Sequence, residues 1–153
     1  MVCFRACAVE INALKFIGGV TGGSILLETL KSRALSPRHS LAIAQLLVDR
    51  WGADVNASAE GITPLAVAAA RGLSAVVAYL LSKGALRDEV SAGVFTLAGN
   101  ARKTVRGRYA PIDWALVVSD AERRCGVDER HLVQLQSCVR ILKEAGASAK
   151  QTY

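Results

Sequence analysis

Aromatic side chains are scarce in this 153-residue chain, at 5%, and methionine occurs once. A core with so few rings must be assembled from Ala, Val, Leu and Ile, which suits closely packed helices better than a barrel wrapped around a ligand. Histidine is limited to His39 and His131, and the four cysteines, Cys3, Cys7, Cys125 and Cys138, contain no C-x-x-C pair. Zinc coordination is therefore not expected. The nearest cluster, Cys125, His131 and Cys138, has no fourth ligand and no recognised zinc-site spacing. No apolar run reaches the roughly 18 residues needed to cross a bilayer, so no membrane span is expected. Residues 1–20 are apolar but interrupted by Arg5, Glu10 and Lys15, which breaks the block a secretory signal requires. A capping helix or half-repeat fits them better, and Glu10 with the paucity of serine argues against a mitochondrial presequence. Reduced thiols in the cytoplasm or nucleus follow.

Catalytic signals are equally thin. A nucleophile needs a base within hydrogen-bond reach, and the two histidines are expected in loops or at a helix start; the one glycine cluster, Gly18 to Gly23, lacks the lysine of a phosphate-binding loop. No enzyme activity and no cofactor are expected. Asp113 reads as a polar contact near a helix start.

What the chain does contain is apolar residues, at 52%, and a net charge of +6. The richest segment is Asp54 to Ala85, DVNASAEGITPLAVAAARGLSAVVAYLLSKGA. Gly61 supplies a turn, Thr63 caps a helix, and Pro64 occupies the first helical position, where its missing N–H costs nothing. A short alanine-rich helix ends at Gly72, which can take the left-handed backbone. A second helix starts near Ser74, carries Val76, Val77, Leu80 and Leu81 on one face, and stops at Gly84. These residues resemble the ankyrin repeat, with Ala66 standing where that family usually has histidine.

Two weaker copies flank it. Upstream, Gly22-Gly23-Ser24-Ile25-Leu26 matches the helix start, and Ile43, Leu46, Leu47 and Val48 lead into Gly52-Ala53-Asp54-Val55-Asn56. Downstream, Ala110-Pro111-Ile112-Asp113-Trp114 repeats the start, and Cys138, Val139, Ile141 and Leu142 precede Gly146-Ala147. The flanking copies are longer, and the extra residues are expected between paired helices, at Ser32 to Ser40, where Pro37 forbids an unbroken helix, and at Asp120 to His131. Another long connection runs from Arg87 to about Tyr109. Within it Gly93 to Gly99 is either a hairpin finger or an ordered loop.

The expected fold is all-α, an ankyrin-repeat solenoid of about three helix-turn-helix units with long inter-helix loops and a short β-hairpin in the last connection. The expected division is a capping helix at residues 1–20, a repeat domain at 21–149 with units near 21–55, 56–87 and 105–149, and a tail at 150–153. The resemblance implies a non-enzymatic protein-binding scaffold that uses the concave face of the stack. Carried onto this sequence, the contacting positions are Ala59, Glu60, Ile62, Ala70 and Arg71 in the second unit. Gly23, Lys31 and Ser32 correspond in the first, and Arg106, Arg108, Tyr109, Val117 and Val118 in the third. Glu60, Ile62, Arg71, Arg106, Arg108 and Tyr109 form the expected partner-binding set. The basic excess gathers at Arg102, Lys103, Arg106 and Arg108, in one loop beside Tyr109; such a cluster is either a solvated loop that keeps an apolar domain in solution or a surface that attracts acidic proteins, phosphates or nucleic acid. The alternatives are a regulatory or targeting part of a larger enzyme, and nucleic-acid binding through residues 102–109. An exposed apolar N-terminal face would favour weak self-association.

Overall fold

The computed structural model describes residues 25–58, 61–98, 102–126 and 129–147. The expected capping helix, Glu60 and the tail lie outside these residues.

Three helix pairs lie side by side among the described residues. The first pair is α1 (Ile25–Lys31) and α2 (Pro37–Gln45), the latter continued by a π-helical turn, Leu46–Arg50. The second is α3 (Pro64–Ala70) and α4 (Ser74–Ser82), and the third is α5 (Pro111–Cys125) and α6 (Glu129–Glu144). Between the second and third pairs stands a two-stranded antiparallel sheet, β1 (Ser91–Thr96) and β2 (Thr104–Tyr109). The first helices α1, α3 and α5 pack on one another in order, and α2, α4 and α6 do the same.

Local chemistry sets the helix ends. The Thr63 hydroxyl accepts from the Ala66 N–H at 3.3 Å, and Pro64 opens α3 with no unsatisfied donor. Ser36 caps α2 in the same way ahead of Pro37. Pro37 therefore begins a helix, and the connection in the first pair is residues 32–36, shorter than the expected 32–40. In the third pair the extra residues lengthen helices. Helix α5 continues to Cys125 and ends at Gly126 (φ +70°), and α6 already begins at Glu129. An uninterrupted amphipathic surface buries Val118, Ser119 and Glu122 on the way, which stabilises the longer helix over the expected loop at 120–131. Trp114, Val118 and Glu122 follow one another at intervals of four, so they fall along one buried stripe of the helix.

Helix α3 is the centre of the molecule, with all seven of its residues buried. Its alanines hold neighbouring backbones close, and Leu65, Val67, Val76, Val77, Leu80, Ile112, Cys138 and Leu142 join Leu26, Leu27 and Leu30 in one core. The expected asparagine of the first unit ties two pairs together. Asn56 donates to the Gly84 carbonyl at 3.3 Å and accepts from the Leu86 N–H at 2.9 Å.

The hairpin does more than connect. Its inner residues Phe95, Leu97, Val105 and Tyr109 pack with Ala66 and Ala70 of α3, Trp114 and Val118 of α5, and Leu135 of α6. Ala70 and Val118, expected to be exposed on the grooved side of the stack, are thus buried under the hairpin, at 3% and 1% exposure. The groove is not left entirely open over α3 and α5; the chain's own finger lies across it. Segment 93–99 is mostly strand, and the basic loop is mostly strand β2, because alternating small or apolar residues on both runs supply one face that can be buried.

Candidate functional site

The hairpin has two chemically distinct faces. Pairing places Val94 opposite Arg106, Ala92 opposite Arg108 and Phe95 opposite Val105, and directly opposed residues share a face. Ala92, Val94, Arg106 and Arg108 are exposed. Arg106 and Arg108 thus project side by side, two positions apart, on a strand pair that contains no acidic residue.

Tyr109 points the other way. It meets Trp114 edge to face, with ring centroids 4.9 Å apart, and Phe95 meets the same indole at 4.7 Å. The absent side chain at Gly107 makes room for this, since a Cβ there would sit 2.1 Å from the Tyr109 ring. The indole Nε1–H donates to the Ser91 carbonyl at 3.1 Å. Tyr109, one of the expected contact positions, is therefore half-buried and packed against its own aromatic neighbours as a support for the hairpin.

Beside the hairpin opens a cleft of about 690 Å³, bounded by the α1–α2 connection, the end of α3, β1 and the facing ends of α5 and α6. Ile62, Val67, Leu73 and Phe95 give it an apolar wall; Arg33, Arg71, Glu122 and His131 give it a polar one. Ile62, expected at an exposed turn tip, is 8% exposed and belongs to the core, reaching the cleft only from within it. Arg71 lines the cleft, and its guanidinium donates to the Leu30 carbonyl. Burial pulls the Arg71 pKa below its ordinary value, and the positive charge of Arg33 adds to that.

At the bottom sits a group that sequence reasoning missed. Glu122 is fully buried; one carboxylate oxygen accepts from the Ala98 N–H at 2.9 Å and the other from His131 Nδ1. His131 Nε2 meets the Arg71 carbonyl at 3.0 Å. The hydrogen bond to Glu122 holds the imidazole above its ordinary pKa, outweighing burial, which opposes it. The only signal in the sequence was an acid on the buried face of α5, four positions after Val118, which spacing alone could not pair with a histidine on the next helix. His131 is thus engaged by a carboxylate and a carbonyl. Burial pushes the Cys138 thiol up to about 12, so it is neutral and a poor nucleophile near pH 7. Asp113 is buried in the first turn of α5.

Among the described residues no group of three or more His, Cys, Asp or Glu is placed to hold a metal ion. None of the described helices is long and apolar enough to cross a membrane. The six expected contact positions therefore separate. Arg106 and Arg108 stand together on the exposed strand face, Arg71 and Ile62 line the cleft, Tyr109 lies under the hairpin, and Glu60 is outside the described residues.

The ankyrin repeat family model matches residues 60–91, the span that holds α3, α4 and the first residue of β1. No curated protein matches the chain. Capped α3, the Gly72 turn, α4 and the Gly84 stop all fall within the matched span, which is an ankyrin repeat.

Proposed function

We propose that this chain is a non-enzymatic protein-interaction module, in which the helix pairs flanking the matched repeat act as diverged units of the same stack. Ankyrin repeats generally mediate protein–protein interaction, and nearest-neighbour stacking needs partners on both sides of a single repeat. The binding surface is the outer face of the hairpin together with the rim of the cleft, and its partner is an acidic protein surface in the cytoplasm or nucleus. The observation that carries this is the pairing of Arg106 with Arg108 on an exposed strand without a neighbouring carboxylate on the hairpin. Arginine is over-represented among the residues that dominate binding energy.

The test is affinity capture with the wild-type chain and with Arg106→Glu/Arg108→Glu, followed by pairwise binding with each purified protein recovered. Retention by the wild type and loss by the double variant supports the reading. Equal recovery by both overturns the assignment of the face. Recovery of nucleic acid, with affinity that falls steeply as salt rises, would instead favour nucleic-acid binding through residues 102–109. Recovery of a catalytic subunit would make the chain a regulatory part of an enzyme.

A further inference from the structure

The cleft beside the hairpin contains two guanidinium groups that no side chain among the described residues neutralises. Arg33 donates to the carbonyls of Leu97 at 3.2 Å and Thr96, and Arg71 to that of Leu30. Neither has a carboxylate within ion-pair distance among the described residues. A guanidinium carries five N–H donors, so two are engaged at Arg33 and one at Arg71. The remaining donors have no protein partner among the described residues. The two groups are near enough for the charge of Arg33 to act on Arg71 and on His131.

The other charges of the lining are spoken for. Lys31 pairs with Glu28 at 3.3 Å. Glu122, the one carboxylate in the lining, uses both oxygens on Ala98 and His131. The polar end of the cleft is thus left with unbalanced positive charge, half-buried at Arg71 and exposed at Arg33, a field that draws an anion in. The opposite wall, Ile62, Val67, Leu73 and Phe95, is apolar, and an inorganic ion would leave it wet. The volume of about 690 Å³ falls within the roughly 300–1,000 Å³ of small-molecule sites.

We propose that this cleft binds a small organic acid with an apolar body, its carboxylate accepting from Arg33 and Arg71 and its body lying against Phe95 and the edge of Ile62. Planar forks match a planar carboxylate, which can take two parallel N–H bonds. The acid-binding end, at Arg33 and Arg71, does not include Arg106 or Arg108, neither of which lines the cleft.

The full chain, labelled with ¹⁵N, is titrated with 4-phenylbutyrate, with its neutral isostere 4-phenylbutanamide, and with inorganic phosphate. The expected result is saturable shifts of the Arg71, Gly72, Thr96 and Leu97 amides with the acid, and affinity for the amide about tenfold weaker or less, the loss expected of a charge-assisted hydrogen bond. Arg33→Gln should weaken the acid by about the same factor, while Arg140→Gln, on the exposed side of α6 and away from the cleft, leaves it unchanged. Absence of saturable shifts overturns the proposal. Equal binding of acid and amide also overturns it, leaving only an apolar hollow, and that comparison needs no variant to fold. Phosphate binding as well as the acid means an adventitious ion only.

Discussion

His131 turns a ring nitrogen toward the fully buried carboxylate of Glu122 while its other nitrogen meets the Arg71 carbonyl at 3.0 Å. Both neighbours are acceptors, so the imidazolium, which donates from both nitrogens, satisfies the pair better than either neutral tautomer. The same carboxylate accepts from Ala98, at the end of the hairpin. One charged contact therefore joins α5, α6, the turn after α3 and the finger that crosses them.

Because the folded pKa of His131 is raised above 6.5, its contribution to stability is fully present below pH 6.5 and is lost as pH rises through the folded value. The urea midpoint should fall as pH is raised through that window. In Glu122→Gln the fall should be much smaller, and stability at pH 6 should drop by about 1.5–3 kcal/mol, the range for hydrogen bonds to charged groups. Urea titrations between pH 6 and 9 check both; a wild-type midpoint that stays level is incompatible with this role.

Two glycines with similar backbones should respond differently to alanine. Gly72 (φ +71°) would place a Cβ 3.3 Å from Gln134 Cβ and from His131 Nε2, whereas Gly84 (φ +87°) has nothing within 4 Å. Gly84→Ala should cost the left-handed backbone penalty alone, about 1–2 kcal/mol. Gly72→Ala should cost more, because α6 must also shift. Chemical denaturation of the two variants side by side would decide it, and equal losses would mean that α6 yields freely.

The hairpin depends on Trp114. Trp114→Ala removes a fully buried indole that carries Phe95 and Tyr109, and about 3–5 kcal/mol of stability should go with it. Trp114→Phe keeps a ring but loses the hydrogen bond to Ser91, for about 1–2 kcal/mol. Thermal unfolding of both variants provides the measurement, and a Phe variant as unstable as the Ala variant would show that the hydrogen bond dominates.

Thr63 serves the helix and the hairpin together. Its hydroxyl accepts from the Ala66 N–H and lies 3.1 Å from the Ser91 hydroxyl, which also accepts from the Thr63 N–H at 3.3 Å. Thr63→Ala should cost about 1–2 kcal/mol, at the upper end of helix-cap losses. Thr63→Ser retains the hydroxyl and should recover most of it. Failure of serine to rescue would point to the methyl group instead.

Arg106→Glu/Arg108→Glu reverses two charges on an exposed strand face and should leave stability within about 0.5 kcal/mol. A circular-dichroism melt that matches the wild type would establish that any loss of binding comes from the surface itself.

Helix starts and stops were legible from residue order, because capping and left-handed turns are decided within a few positions. Thr63-Pro64, Pro111, Gly72, Gly84 and Gly146 all act where their chemistry places them. The same local rules misjudged Pro37, since a proline that breaks a helix and one that begins it differ only in the Ser36 cap before it. They also misjudged Asp120 to His131, where the burial of Val118, Ser119 and Glu122 against distant partners carries α5 onward. Periodicity alone placed a strand or a loop at 93–99 and could not say what it would touch.

The path of the hairpin and the cleft it borders came only from tertiary packing. Arg33 reaches the Leu97 carbonyl across 64 positions, and His131 reaches the Arg71 carbonyl across 60. Residue order by itself determined the caps, the turns and the apolar faces, because each is settled by near neighbours. Which of those faces the finger would cover, and which arginines would be left without a counter-charge, was decided only when segments remote in the chain competed for the same surface.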